Sequence, residues 1–94
     1  MASFDIIRFD VREGVGELDF RAVDEAMQHW CYLNRPGIQR RTTARDGRHC
    51  IVVHLFDGPE HCGTDYLSSH DDAVRRWTGM IEESTLTHEV YSLL

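Results

Sequence analysis

Three side chains carry most of the chemistry open to this chain: His54, His70 and Tyr66. His54 falls within the most apolar run, His49 to Phe56, where burial disfavours an imidazolium and leaves a neutral ring able to accept a proton. It is either a base in a pocket or a core histidine hydrogen-bonded to a neighbour. His70 is expected at a helix start, on the inward face with Ala73, Val74, Trp77 and Ile81, where the positive end of the helix dipole also favours the neutral ring. It is either a general base at a pocket mouth or a first-turn residue packed on Trp77. Tyr66 can donate a hydrogen bond to a developing oxyanion or enolate, or lie in the core with its hydroxyl reaching water. Asp5 shares a strand face with Ile7 and Phe9 and is the carboxylate placed to orient His54, unless it is solvated at the strand end. Phe9, Met27, Trp30, Phe56 and Trp77 form either the wall of a cavity for a flat ligand or plain core. Asn34, just before Pro36, reads most simply as a helix-end residue.

Other chemistries find little support. All ten basic residues are arginine, which removes Schiff-base and amine-nucleophile mechanisms. The pairs His49-Cys50 and His61-Cys62 point their side chains apart, and no C-x-x-C or H-x-x-x-H spacing occurs, so a structural zinc site is not expected. G-x-G-x-x-G, phosphate-loop and G-x-S-x-G patterns are also missing. Cys62, near an expected helix start, is either an activated thiol or a small hydrophobe. A formal charge of −6 without a basic run argues against nucleic acid and anionic membrane surfaces as partners. Three cysteines, an odd number, with no apolar leader ahead of them, suit a reducing cytoplasm.

The elements that must position these residues follow the order βαββαβ. Phe4 to Val11 alternates as a strand with Asp5, Ile7, Phe9 and Val11 on one face. A helix capped by Asp19 carries Phe20, Val23, Ala26, Met27, Trp30 and Leu33 on its apolar arc, and Asn34-Arg35-Pro36-Gly37 ends it. Ile38 to Ala44 and His49 to Phe56 form a hairpin about Asp46-Gly47. Asp57 and Glu60, then Ser69 and Asp72, have capping-box spacing and predict a broken second helix, its first piece carrying Cys62, Gly63, Tyr66 and Leu67 inward. Thr85 to Leu94 closes the pattern as a strand. A chain of 94 residues in this order is one α+β domain of the ferredoxin-like kind, residues 1–94, with an antiparallel four-stranded sheet ordered 4-1-3-2 and helices on one face. Strands one and three look apolar on both faces, and two helices shield only one, so a second sheet is needed and a homodimer with sheets face to face is inferred.

Trp30, Pro36-Gly37-Ile38, Arg45-Asp46-Gly47-Arg48 and Tyr66-Leu67-Ser68-Ser69-His70, in that order along nearly the whole chain, resemble the dimeric α+β barrel superfamily. That superfamily includes antibiotic-biosynthesis monooxygenases, small polyketide cyclases, muconolactone isomerases and heme-degrading monooxygenases. The resemblance implies a pocket between sheet and helices that often works without metal or organic cofactor. Against a plant polyketide cyclase of this group, Tyr66 matches the pocket tyrosine, and Cys50, Val52, His54 and Phe56 fall on the pocket side of strand three. Ala73 stands where that cyclase has its catalytic histidine, leaving His70 one turn earlier. Against the heme-degrading enzymes, Tyr66 replaces the pocket tryptophan and Arg76 the heme-ligating histidine.

The expected protein is a small cytoplasmic homodimeric enzyme of natural-product metabolism. It acts without cofactor on an aromatic or polyketide-like substrate by proton abstraction followed by monooxygenation or cyclisation. His54, His70 and Tyr66 are its catalytic residues, and Asp5, Ile7, Phe9, Met27, Trp30, Cys50, Val52, Phe56 and Trp77 line its pocket. The alternatives are a non-catalytic ligand-binding or accessory barrel and a heme-binding monooxygenase.

Overall fold

In the computed structural model, which describes residues 1–94 throughout, the βαββαβ order holds. Strand β1 spans Ser3–Val11, helix α1 Glu17–Asn34, β2 Ile38–Asp46, β3 His49–Phe56, α2 Asp72–Thr78 and β4 Ile81–Ser92, with 3-10 turns at Pro59–His61 and Asp65–Ser68. The sheet is antiparallel throughout its four strands, ordered β2-β3-β1-β4.

Alternation of apolar residues sets the strand faces. Ile7, Phe9 and Val11 of β1 and Cys50 and Val52 of β3 turn toward the helices, where they meet Phe20, Val23, Met27 and Cys31 of α1, Val74 and Trp77 of α2, and Ile81. Phe9 packs edge-on against Trp77, with ring centroids 4.9 Å apart. On the opposite face the register sets Phe4 beside Leu55 and Ile6 beside Val53, so the centre of the uncovered surface is apolar.

Several boundaries differ from those expected. Helix α1 begins three residues earlier, with Gly16 as an extended N-cap lacking a side-chain bond, while Glu17 and Asp19 lie in the first turn, where carboxylates favour the helix dipole. Its buried stripe is Phe20, Val23, Asp24, Met27 and Cys31, whereas Leu33 is 71% exposed. Neither capping box forms. The 3-10 turn at Pro59 and helix α2 start at Gly58 and Asp71, both without side-chain caps. Ile81 opens β4 rather than ending α2, because Gly79 and Met80 turn the chain and Met80 carbonyl accepts from Arg12 N at 2.8 Å. In the hairpin the two loop residues are Gly47 and Arg48, and only Gly47 takes a positive φ, at 60°, as a II′ turn requires.

Pro36 forces the residue before it out of helical geometry, so Arg35 is extended (φ −103°, ψ 108°) and α1 stops. Gly37 follows at φ 77°, and a Cβ there would stand 2.4 Å from Asp57 Oδ1. The left-handed φ, which strains any residue with a β-carbon, favours glycine at the start of β2.

Asp24 interrupts the apolar stripe of α1 to bind three elements together. Its Oδ1 accepts from Arg41 Nη2 of β2 at 2.8 Å and from Trp77 Nε1 of α2 at 3.0 Å. Arg41 Nη1 adds bonds to the Asp24 carbonyl and to Thr43 Oγ1. Removing one partner of a buried pair strands the other charge. Asp24→Leu is therefore expected to lower stability in urea unfolding by about 3–5 kcal/mol, and Asp24→Leu with Arg41→Met to recover most of that loss.

Candidate functional site

The cross-strand register lays Arg41, His54 and Asp5 side by side across β2, β3 and β1, all facing the helices. All three are buried, with His54 at 0% exposure and Asp5 at 1%. His54 Nδ1 lies 3.1 Å from the backbone carbonyl of Asp5. A carbonyl only accepts, so Nδ1 carries the hydrogen and Nε2 keeps its lone pair. Nε2 has no partner. Burial, then the positive charges of Arg35 and Arg41, lower the His54 pKa to about 4. The ring is therefore neutral at pH 7.

The Asp5 carboxylate orients other groups. Its Oδ2 accepts from Arg35 Nη2 at 3.3 Å and from the backbone N–H of Gly63 at 3.0 Å, while Oδ1 accepts from His88 Nε2 on β4. Arg35 Nη2 also reaches the carbonyls of His61 and Gly63. One carboxylate thus fixes the end of α1, the turn around Gly63 and the last strand to the sheet.

Above this network stands a series of flat groups. The Arg35 guanidinium lies 3.7 Å from the Tyr66 ring centroid and 4.7 Å from that of Phe56. Tyr66 stacks in turn on Trp30, with centroids 6.3 Å apart, and meets His54 edge-on at 6.1 Å. Trp30 is fixed by a 2.7 Å bond from Nε1 to Asp71 Oδ2. Burial raises the Tyr66 pKa, so its hydroxyl is a neutral donor.

A cleft of about 320 Å³ opens between the end of α1 and the 3-10 turns, with Trp30, Asn34, Arg35, Cys62, Gly63 and Tyr66 among its walls. Its size suits a small organic ligand. Asn34 Nδ2 donates to the Trp30 carbonyl at 2.9 Å, the helix-end role expected of it. Cys62 is half-buried and burial raises its thiol pKa, which disfavours the thiolate. Cys50 is likewise pushed up to about 11. The one group of side chains with metal-ligand spacing is Asp57, Glu60 and His61, whose donor atoms lie within 4.8 Å of one another at the exposed rim.

Of the residues singled out in the sequence, His54, Asp5, Tyr66, Trp30 and Phe56 come together around Arg35. His70 does not join them: it is exposed, and it precedes α2 rather than facing inward from it. Ile7, Phe9, Met27, Cys50, Val52 and Trp77 are core side chains at 0 to 4% exposure; Phe9 and Cys50 also border a separate cavity of about 510 Å³ near the β2–β3 turn, which neither His54 nor Tyr66 lines. Arg35, Arg41 and His88 escaped sequence analysis. An arginine directly before Pro-Gly at a helix end was the available signal for Arg35.

No family model and no curated protein matches the chain. Solved structures do. A Bordetella bronchiseptica protein described as a candidate antibiotic biosynthesis monooxygenase superposes with a TM-score of 0.76 at 15% identity, over 99% of this chain and 97% of that one. SnoaB, a cofactor-independent oxygenase from Streptomyces nogalater, matches at TM-score 0.67 and 14% identity, over 99% and 93%. A dimeric protein of ferredoxin-like fold from Bacteroides fragilis, of unknown function, matches at 0.63 and 12%, over 98% and 96%. The chain has the ferredoxin-like fold of these proteins. At such identities the likeness is one of architecture.

The His54 ring predicts a pH signature. The unfolded chain protonates this imidazole near 6.5, the folded one only near 4. Between those values the unfolded state binds more protons, so stability rises with pH across the window and falls on acidification. Wild-type protein is expected to lose about 3 kcal/mol more than His54→Gln between pH 7 and pH 4 in paired urea titrations.

Proposed function

We propose that this protein is a cofactor-independent oxygenase acting on a small conjugated substrate, with His54 as its base. The observation that carries this reading is the unpartnered Nε2 of a neutral, buried imidazole, in contact with a tyrosine that lines a ligand-sized cleft. The fold shared with SnoaB supports it.

In this scheme Tyr66 shifts as substrate enters, and His54 Nε2 removes a proton from a methylene activated by a neighbouring conjugated carbonyl. The electron pair left on carbon delocalises into an enolate, whose charge Arg35 and the Tyr66 hydroxyl stabilise. The carbanion transfers one electron to O2, and the two radicals combine to form a C–O bond. The resulting peroxide takes back the proton from His54 and loses water, leaving a ketone. The sum is CH2 + O2 → C=O + H2O, so the substrate supplies all the electrons and no separate reductant is required.

The apolar outer face around Phe4, Ile6, Ile51, Val53 and Leu55 supports a homodimer in which two sheets pack together. Val53→Arg at its centre is expected to shift the protein to monomer in analytical ultracentrifugation, whereas an unchanged sedimentation coefficient removes the face-to-face arrangement.

A second reading, a ligand-binding barrel without turnover, is favoured by the complete burial of His54 and the exposure of His70. Oxygen uptake by metal-free protein supplied with an anthrone, which carries such a methylene, separates the two. The oxygenase reading expects uptake that falls by about 10²–10⁴-fold in His54→Ala and is unaffected by His70→Ala. Tight binding of such compounds with no uptake selects the barrel without turnover.

A further inference from the structure

We propose that Arg35 is the specificity-determining residue of the cleft, and that its ligand is a planar aromatic molecule bearing an anionic oxygen. This goes beyond the oxygenase proposal by naming what the same cleft recognises, and it holds for binding whether or not oxygen is consumed.

The argument starts from an incomplete set of hydrogen bonds. Nη2 of Arg35 serves three acceptors, Asp5 Oδ2 and the carbonyls of His61 and Gly63, while Nη1 has none. Arg35 is only 7% exposed, yet it is one of the residues that form the cleft. A guanidinium nitrogen left buried with two free N–H bonds is costly and needs an explanation. Its Asp5 partner does not supply it: that carboxylate already takes Nη2, the Gly63 N–H and His88.

The surroundings fit an anion on a flat frame. The guanidinium lies against two rings, 3.7 Å from the Tyr66 centroid and 4.7 Å from that of Phe56, so flat groups surround it. An oxygen on a flat aromatic frame can meet Nη1 in the guanidinium plane, the geometry a guanidinium prefers. Trp30 offers a ring face on the cleft wall for the rest of the ligand. Tyr66 is the group that moves to admit it. It sits in a four-residue 3-10 turn, and its hydroxyl is held by no hydrogen bond.

A charged partner for Nη1 comes either from a carboxylate or from a phenolate, and two matched pairs of probes distinguish them. By isothermal titration calorimetry, wild-type protein is expected to bind 2-naphthoate at least about tenfold more tightly than 2-naphthamide if carboxylates are taken. The same margin is expected for 4-nitrophenolate over 4-nitroanisole if phenolates are taken. Either margin supports the proposal and names the source. Equal affinity within both pairs, or no binding of either anion, overturns it without recourse to any variant. Arg35→Lys, which keeps the charge but not the in-plane fork, is expected to lose most of the margin while still binding the neutral probe, and full retention of the margin also overturns the assignment. Because no turnover is read, failure here is distinct from a failed oxygen-uptake assay.

Discussion

The interior of this protein is organised around two buried ion pairs set on either side of one histidine. Arg41 with Asp24 and Arg35 with Asp5 bring four formal charges under the helices, and His54 lies between Arg41 and Asp5 in one row of the sheet. Isolated charges there would each cost several kcal/mol, so the helices lie over the sheet at low cost only with both pairs made. Arginine is the suitable cation for this role. Unlike lysine it cannot shed its proton to escape burial, so the positive charges persist at any ordinary pH and add to the burial that keeps His54 neutral.

The same pairs tie distant parts of the sequence together. Asp24 joins the middle of α1 to β2 and α2; Asp5 joins β1 to the end of α1, the Gly63 turn and β4. The apolar core lies beside them and supplies contact area but little directionality. The polar row therefore specifies register: a one-residue slip of β3 would turn His54 to the outer face and separate it from the Asp5 carbonyl.

The fold was largely legible because it depends on periodicity. Alternation in β1 and β3, the Asp46-Gly47-Arg48 turn and the break at Pro36 are local signals, and each places an element without reference to the rest of the chain. The strand order followed from topology. The site was less legible for a physical reason. His54, Tyr66 and Asp5 drew attention by residue type, but Arg35 lies in a stretch that reads as a helix end, and nothing local indicates that its side chain turns inward. Asp24 stood in plain view at i+4 from Phe20 and i−3 from Met27, a carboxylate on an apolar stripe, and its partner on β2 was the part no local pattern could reveal. His70 misled because capping-box spacing suggested a helix start that the backbone makes two residues later, at Asp72, without a side-chain cap.

The two tryptophans sit on opposite sides of this division. Trp77 is fully buried and its indole N–H is held by Asp24, whereas Trp30 borders the cleft and is held by Asp71. The molecule consequently carries two intrinsic chromophores with separate environments, one dry and beside an ion pair, the other at a solvent boundary and stacked on tyrosine. Their emission should differ in colour and in accessibility to quenchers, so that loosening of the cleft and melting of the core can be followed as separate optical events in the unmodified protein.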